Sequence, residues 1–122
     1  MNIPITNPSR ELKEIKNFDK SFINEIKKGV YVGGNNVEIL EKNLKNFLES
    51  KYIATVNSGT DALYLSLLAL GIGKNDEILV PSFTFFATVE SILNVGATPV
   101  FVDIDEDTYC LDLDDLSKNC LL

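Results

Sequence analysis

Apolar residues recur every three or four positions through the first fifty residues, and the pattern changes at Lys51. Ile15, Phe18, Phe22 and Ile26 form one stripe, which predicts a helix over residues 9–28. Ser9 is its expected N-cap and Gly29 its stop. A turn-rich connection, Val30-Tyr31-Val32-Gly33-Gly34-Asn35-Asn36, leads into a second amphipathic helix ending near Ser50. Val37, Leu40, Leu44 and Phe47 mark its apolar face. Past Lys51 the run Tyr52-Ile53-Ala54-Thr55-Val56-Asn57 is rich in β-branched residues and predicts a strand. Residues 61–70 are apolar almost all round, which predicts a deeply buried helix, with Gly71 and Gly73 as its left-handed stop.

A short strand over 77–80, ended by Pro81, comes next. A helix over 84–95, ended by Gly96, leads to a third strand over 98–103 and a further helix from Leu113 to Asn119. Strands that alternate with helices predict an α/β domain with a mostly parallel sheet. The expected organisation is an arm with two helices over 1–50 and an incomplete α/β domain over 51–122. Ligands of such sheets gather beyond the carboxyl ends of the strands. Asn57-Ser58-Gly59, Pro81-Ser82-Phe83 and Asp103-Ile104-Asp105 are three such ends.

Charge and composition narrow the chemistry. A net charge of −7 argues against a nucleic-acid partner, which needs a basic face. No apolar run approaches the roughly 18 residues of a membrane span, and Met1-Asn2-Ile3-Pro4 begins no signal-peptide pattern. Histidine is absent, which excludes Ser-His-Asp, Cys-His and His–metal mechanisms built from this chain alone. Cys110 and Cys120 show no metal-ligand spacing, and a reduced, cytoplasmic setting is expected.

Ser58-Gly59-Thr60-Asp61 carries the sharpest signal. Small residues at a strand-to-helix turn let backbone N–H groups face an anion, where the helix dipole favours negative charge. Gly59 allows close approach and Thr60 adds a hydroxyl donor. Asp61 would repel a phosphate unless its carboxylate turns aside. The plainer reading is a serine N-cap before a tight turn. Phe83, Phe85 and Phe86 cluster at the next strand end, either to cover a planar ligand or to fill core. Asp103, Asp105 and Asp107 have the spacing that opens a calcium loop, but Thr108 stands in place of the required glycine. A solvated turn is the expectation there, with no metal.

Four blocks in order resemble the DegT/DnrJ/EryC1/StrS family of pyridoxal-phosphate-dependent sugar aminotransferases. They are Gly29-Val30-Tyr31-Val32-Gly33-Gly34 with Val37 and Glu41, then Asn57-Ser58-Gly59-Thr60-Asp61-Ala62-Leu63, then residues 73–85, then residues 96–105. The resemblance implies part of an aspartate-aminotransferase-like (fold type I) large domain with helices on both sheet faces. It implies that Ser58, Gly59 and Thr60 bind the phosphate of pyridoxal 5′-phosphate and that Phe85 covers its ring. It implies that Tyr31, Gly33 and Gly34 lie near a keto-sugar nucleotide. An amino donor, expected to be glutamate, and a homodimer belong to the same picture.

The Schiff-base lysine and the aspartate that pairs with the pyridine nitrogen lie, in the family, beyond the residues matched here. No catalytic residue is therefore assigned, and the chain alone is expected to be an inactive N-terminal portion of an aminotransferase. A dehydratase of the same family, or a non-catalytic truncated or split-gene module, are the alternatives.

Overall fold

The structure is a computed structural model and describes residues 5–119. It divides into two compact units between Thr55 and Val56.

The first unit is helical. Helix α1 (Pro8–Glu14), α2 (Phe18–Lys28) and α3 (Asn35–Phe47) replace the two helices expected. The single helix predicted over 9–28 is broken at Ile15–Asn17, because Ile15 turns extended and Asn17 is left-handed with φ 60°. Asparagine tolerates that conformation better than other residues with a Cβ. The N-cap is Asn7, not Ser9, and Pro8 occupies the first helical position, where its missing N–H costs nothing. Gly29 ends α2 with φ 70°, as expected of a glycine stop. Phe18 and Phe22 stack with ring centroids 5.8 Å apart.

Helix α3 stops before Ser50 because Glu49 turns left-handed, with φ 50°. The Ser50 amide then donates to the Lys45 carbonyl and the Glu49 amide to that of Asn46, which closes the helix end. Along its apolar face Val37 and Leu44 are half-buried, while Leu40 and Phe47 are exposed.

The second unit carries the α/β pattern. It contains α4 (Gly59–Ala69), β1 (Glu77–Pro81), α5 (Phe86–Asn94), β2 (Thr98–Val102) and α6 (Leu113–Asn119). β1 and β2 pair in parallel, with Glu77 opposite Thr98 and Pro81 opposite Val102. α5 makes the crossover between them, as a parallel pair requires. Val80 (1% exposed) and Val102 (0%) anchor the interior. Val80 clusters with Ile92 and Ala97, and half-buried Leu67, Ile72, Ile78, Val89 and Val95 pack against that cluster.

Three expectations fail in instructive ways. The segment 52–57 is not a strand. A strand needs a neighbouring ladder, and the Thr55 amide instead donates to the Glu41 carboxylate at 2.8 Å. Helix α4 contains no buried residue, since α5 covers only part of its apolar circumference among the described residues. Gly71 is left-handed at φ 76°, but Gly73 is not part of that stop: its N–H donates to the Asp76 carboxylate at 2.8 Å.

Candidate functional site

The N-terminus of α4 is built by Ser58. Its backbone is extended, and its Oγ accepts the Asp61 amide at 3.0 Å, so Ser58 is a true N-cap. The Ser58 carbonyl accepts the Ala62 amide at 3.0 Å, which starts the helical ladder. Gly59 and Thr60 are then the first two helical residues, and their amides have no intrahelical acceptor. Ser58 keeps its hydroxyl proton for donation outward, since the oxygen acts only as acceptor within the cap.

A Cβ placed on Gly59 meets nothing within 4 Å, so the space beside this amide is open. Helical Cα–Cβ bonds tilt toward the N-terminus, so a side chain here would lean into the space in front of the helix. Two amides, two hydroxyls and an open approach on an eleven-residue helix fit a phosphate ester. The Asp61 Oδ2 accepts Asn57 Nδ2 at 2.9 Å.

The floor of the turn is tied to α5. Ser91, 1% exposed, places its Oγ 2.6 Å from the Ala87 carbonyl and 3.4 Å from the Thr60 carbonyl. Phe85 is the residue immediately before α5, in extended conformation, and is 80% exposed. It stands six residues from Ser91, about 9 Å along the helix axis. Phe83 and Phe86 are exposed as well, so none of the three phenylalanines fills core. Phe83 instead lies against Tyr109, with ring centroids 6.2 Å apart. Thr84 and Thr88 share a hydroxyl–hydroxyl bond of 3.0 Å across the start of α5.

Tyr31, Gly33 and Gly34 belong to the helical unit. Tyr31 is exposed, with its OH donating to the Ile26 carbonyl at 3.3 Å. Gly33 and Gly34 have φ 68° and 87°, which side chains rarely adopt, and Gly34 is the N-cap of α3. A Cβ on Gly34 would come within 2.9 Å of Val30 Cγ1.

The aspartate-rich segment after β2 is used as a turn. Asp105 accepts the Thr108 hydroxyl at 2.7 Å and its amide at 2.8 Å, and these bonds lower its pKa below the ordinary carboxylate value. Asp103 Oδ1 accepts the next residue's amide at 2.8 Å. Sequence patterning gave Asn57 and Ser91 no role. The only signal for Asn57 was an amide four residues ahead of an acid, on opposite sides of an N-cap.

Comparison with known proteins identifies the family. The profile of the DegT/DnrJ/EryC1/StrS aminotransferase family matches residues 13–120. The chain is 37% identical to GDP-perosamine synthase of Escherichia coli O157:H7 over 95% of its own length and 31% of that protein's. It is 39% identical to the UDP-2-acetamido-2-deoxy-3-oxo-D-glucuronate aminotransferase of Pseudomonas aeruginosa, over 90% of this chain and 30% of the relative. Among solved structures it resembles S. venezuelae DesV in complex with a ketimine intermediate, with TM-score 0.86 and 34% identity, over 95% of this chain and 32% of that one. It also resembles E. coli GDP-4-keto-6-deoxy-D-mannose-3-dehydratase with bound hydrated PLP, with TM-score 0.73 and 28% identity, over 81% and 27%. The chain thus spans about a third of the length of the relatives it matches. A match over most of its residues, by profile and by structure, makes this chain a member of the DegT/DnrJ/EryC1/StrS aminotransferase family.

Proposed function

We propose that the chain supplies the phosphate cup and ring cover of a pyridoxal-phosphate-dependent aminotransferase acting on keto-sugar nucleotides in polysaccharide biosynthesis. One observation carries the reading: the Gly59 and Thr60 amides have no intrahelical acceptor at a helix N-terminus where the space beside Gly59 is open. In this reading the amides of Gly59 and Thr60 and the hydroxyls of Ser58 and Thr60 hold the phosphate. The exposed Phe85 ring covers one face of the pyridine. Tyr31, Gly33 and Gly34 contact the sugar nucleotide. The cofactor, when bound, supplies an electron sink for moving the amino group. This chain's own contribution is to bind and orient it. Glutamate as donor, a homodimeric assembly and a cytoplasmic setting complete the proposal.

The test is a titration of the chain with pyridoxine 5′-phosphate and with pyridoxine, followed by ligand fluorescence. Pyridoxine 5′-phosphate has no aldehyde, so it cannot condense with lysines and reports the cup alone. It should bind at least about tenfold more tightly than pyridoxine, the worth of one charge-assisted hydrogen bond. Equal affinities would overturn the assignment. A second reading, a sugar dehydratase, is favoured by the likeness to the E. coli dehydratase. A full-length polypeptide that forms one amino-sugar for each keto-sugar consumed, with 2-oxoglutarate from glutamate, is a transaminase. One that forms a deoxygenated keto-sugar and free ammonia, with no amino-sugar, is a dehydratase.

A further inference from the structure

We propose that the unpaired edge of β1, together with the apolar face of α4, is a docking surface for a pair of β-strands. The strands come from the part of a family aminotransferase that lies outside its match to this chain, about two-thirds of such a polypeptide. This surface belongs to the sheet and is independent of the phosphate reading.

Among the described residues β1 pairs only with β2. The Asp76 carbonyl accepts the Thr98 amide at 2.9 Å, and the Ser82 amide donates to the Val102 carbonyl at 2.8 Å, one bond at each end of the ladder. Successive residues of a strand turn their backbone groups to opposite sides, so residues 76, 78, 80 and 82 face β2 and residues 77, 79 and 81 face away. The outer edge therefore offers the N–H and C=O of Glu77 and Leu79 and the C=O of Pro81. Pro81 lacks an N–H, which costs the β1–β2 pair nothing on that side. A groove of about 220 Å³ follows this edge. It touches all four residues from Ile78 to Pro81, whose side chains alternate between faces, so it runs along the strand and not over one face. Leu63 and Leu67 of α4 and Ile92 of α5 form its apolar wall, and no residue of β2 lines it. It is smaller than the roughly 300–1,000 Å³ of small-molecule pockets.

α5 packs on both strands, and α4 packs on α5. Neighbouring helices lie about 8–10 Å apart and neighbouring strands about 4.8 Å apart, so α4 covers a strip about two strands wide beside β1. The described residues put no strand in that strip. This is why so apolar a helix buries nothing: Leu63 and Leu68 stay 44% exposed and Leu70 75%. Parallel sheets are covered on both faces and rarely stop at two strands. A second copy paired edge to edge about a two-fold axis would bring its own α4 into the same strip, and each copy carries a net charge of −7. The relatives hold the same fold inside much longer chains: the likeness to DesV, at TM-score 0.86, covers 95% of this chain but 32% of that one. The rest of such a polypeptide is the occupant that suits the empty strip, its apolar wall and its unpaired edge.

Co-expression tests the docking. The partner is a tagged fragment of Escherichia coli O157:H7 GDP-perosamine synthase, the part outside its match to this chain. The fragment should retain this chain on an affinity resin in equimolar amount. In the isolated chain the Leu79 amide should exchange with deuterium at least about tenfold faster than the Val80 amide, and docking should slow Leu79 by at least about tenfold. Leu63→Lys puts a cation in the groove and should reduce retention at least about tenfold. It should leave the urea midpoint of the isolated chain unchanged, because Leu63 is already 44% exposed there.

No retention, or retention that leaves Leu79 exchange unchanged, overturns the proposal. So does equal retention of a normally folded Leu63→Lys chain. Leu79 protection that grows with the concentration of the isolated chain would assign the edge to a second copy and overturn it as well.

Discussion

Gly59→Ala separates what this position does for the fold from what it does for a ligand. The added Cβ has no heavy atom within 4 Å, and the Gly59 backbone lies outside the left-handed region. Neither clash nor strain opposes the change, and alanine loses less backbone entropy than glycine on joining a helix. Stability should therefore hold or rise by up to about 1 kcal/mol. The ligand term has the opposite sign. The new methyl leans toward the helix N-terminus, where the phosphate would approach the Gly59 amide. Losing one charge-assisted hydrogen bond costs about 1.5–3 kcal/mol, or roughly ten- to hundredfold in affinity. Urea denaturation followed by circular dichroism measures the first effect, and pyridoxine 5′-phosphate titration the second. An alanine variant of normal stability that binds the phosphate ester as tightly as the parent would refute the close-approach argument. A variant that loses 2 kcal/mol or more, on the order of a core defect, would refute the account of the turn itself.

Three further outcomes follow from the same structure. Val80→Ala removes two methyl groups from a side chain 1% exposed and should cost about 2–3 kcal/mol, read as a lower urea midpoint with unchanged slope. Gly34→Ala forces a side chain to φ 87° and toward Val30 Cγ1 at 2.9 Å, so it should destabilise the start of α3 by about 1–3 kcal/mol. Adding Val30→Ala should recover only the clash and not the backbone strain, which a denaturation comparison of the single and double variants resolves. The Thr55 amide, and secondarily its hydroxyl, lower the Glu41 pKa below the ordinary value of 4.5. A depressed carboxylate contributes stability that is fully present above that ordinary value and is lost as pH falls through the folded one. The urea-midpoint difference between the parent and Glu41→Gln should therefore shrink in acid, and a difference that grows there would contradict the assignment.

The elements between Glu77 and Asn119 were legible because each carries its own punctuation. Pro81, Gly96 and the β-branched runs fix boundaries through local backbone rules, and β1, α5, β2 and α6 lie close to where those residues put them. The elements that were misread depend on partners. Residues 52–57 have strand composition, but a strand exists only when a ladder accepts its amides, and Thr55 gives its amide to Glu41. Residues 61–70 are apolar enough for a core, yet α4 has only one face covered among the described residues. The break between α1 and α2 hides inside a regular apolar stripe, because Ile15 and Phe18 keep helical spacing while Asn17 between them turns left-handed. At the start of α4 the Ser58 cap and the turn into Gly59 and Thr60 were readable from residue type. Asn57 was not, because a side chain reaching back across an N-cap leaves no periodic trace.

The start of α4 does not need the strand that was expected to precede it. Three hydrogen bonds at this turn are short-range: Ser58 to Asp61, Ser58 to Ala62 and Asn57 to Asp61 all lie within four residues. A long-range hydrogen bond among the described residues, Ser91 to Thr60, comes from α5, which packs on α4 and on the β1–β2 pair. The start of α4 is thus closed by local hydrogen bonds and by packing against α5, while residues 52–57 remain outside any strand. A ring cover requires more, because Phe85, just before α5, is exposed and joins no core cluster among the described residues. Phosphate affinity should accordingly be a property of the second unit's local structure. Discrimination for the pyridine ring needs whatever else buries Phe85.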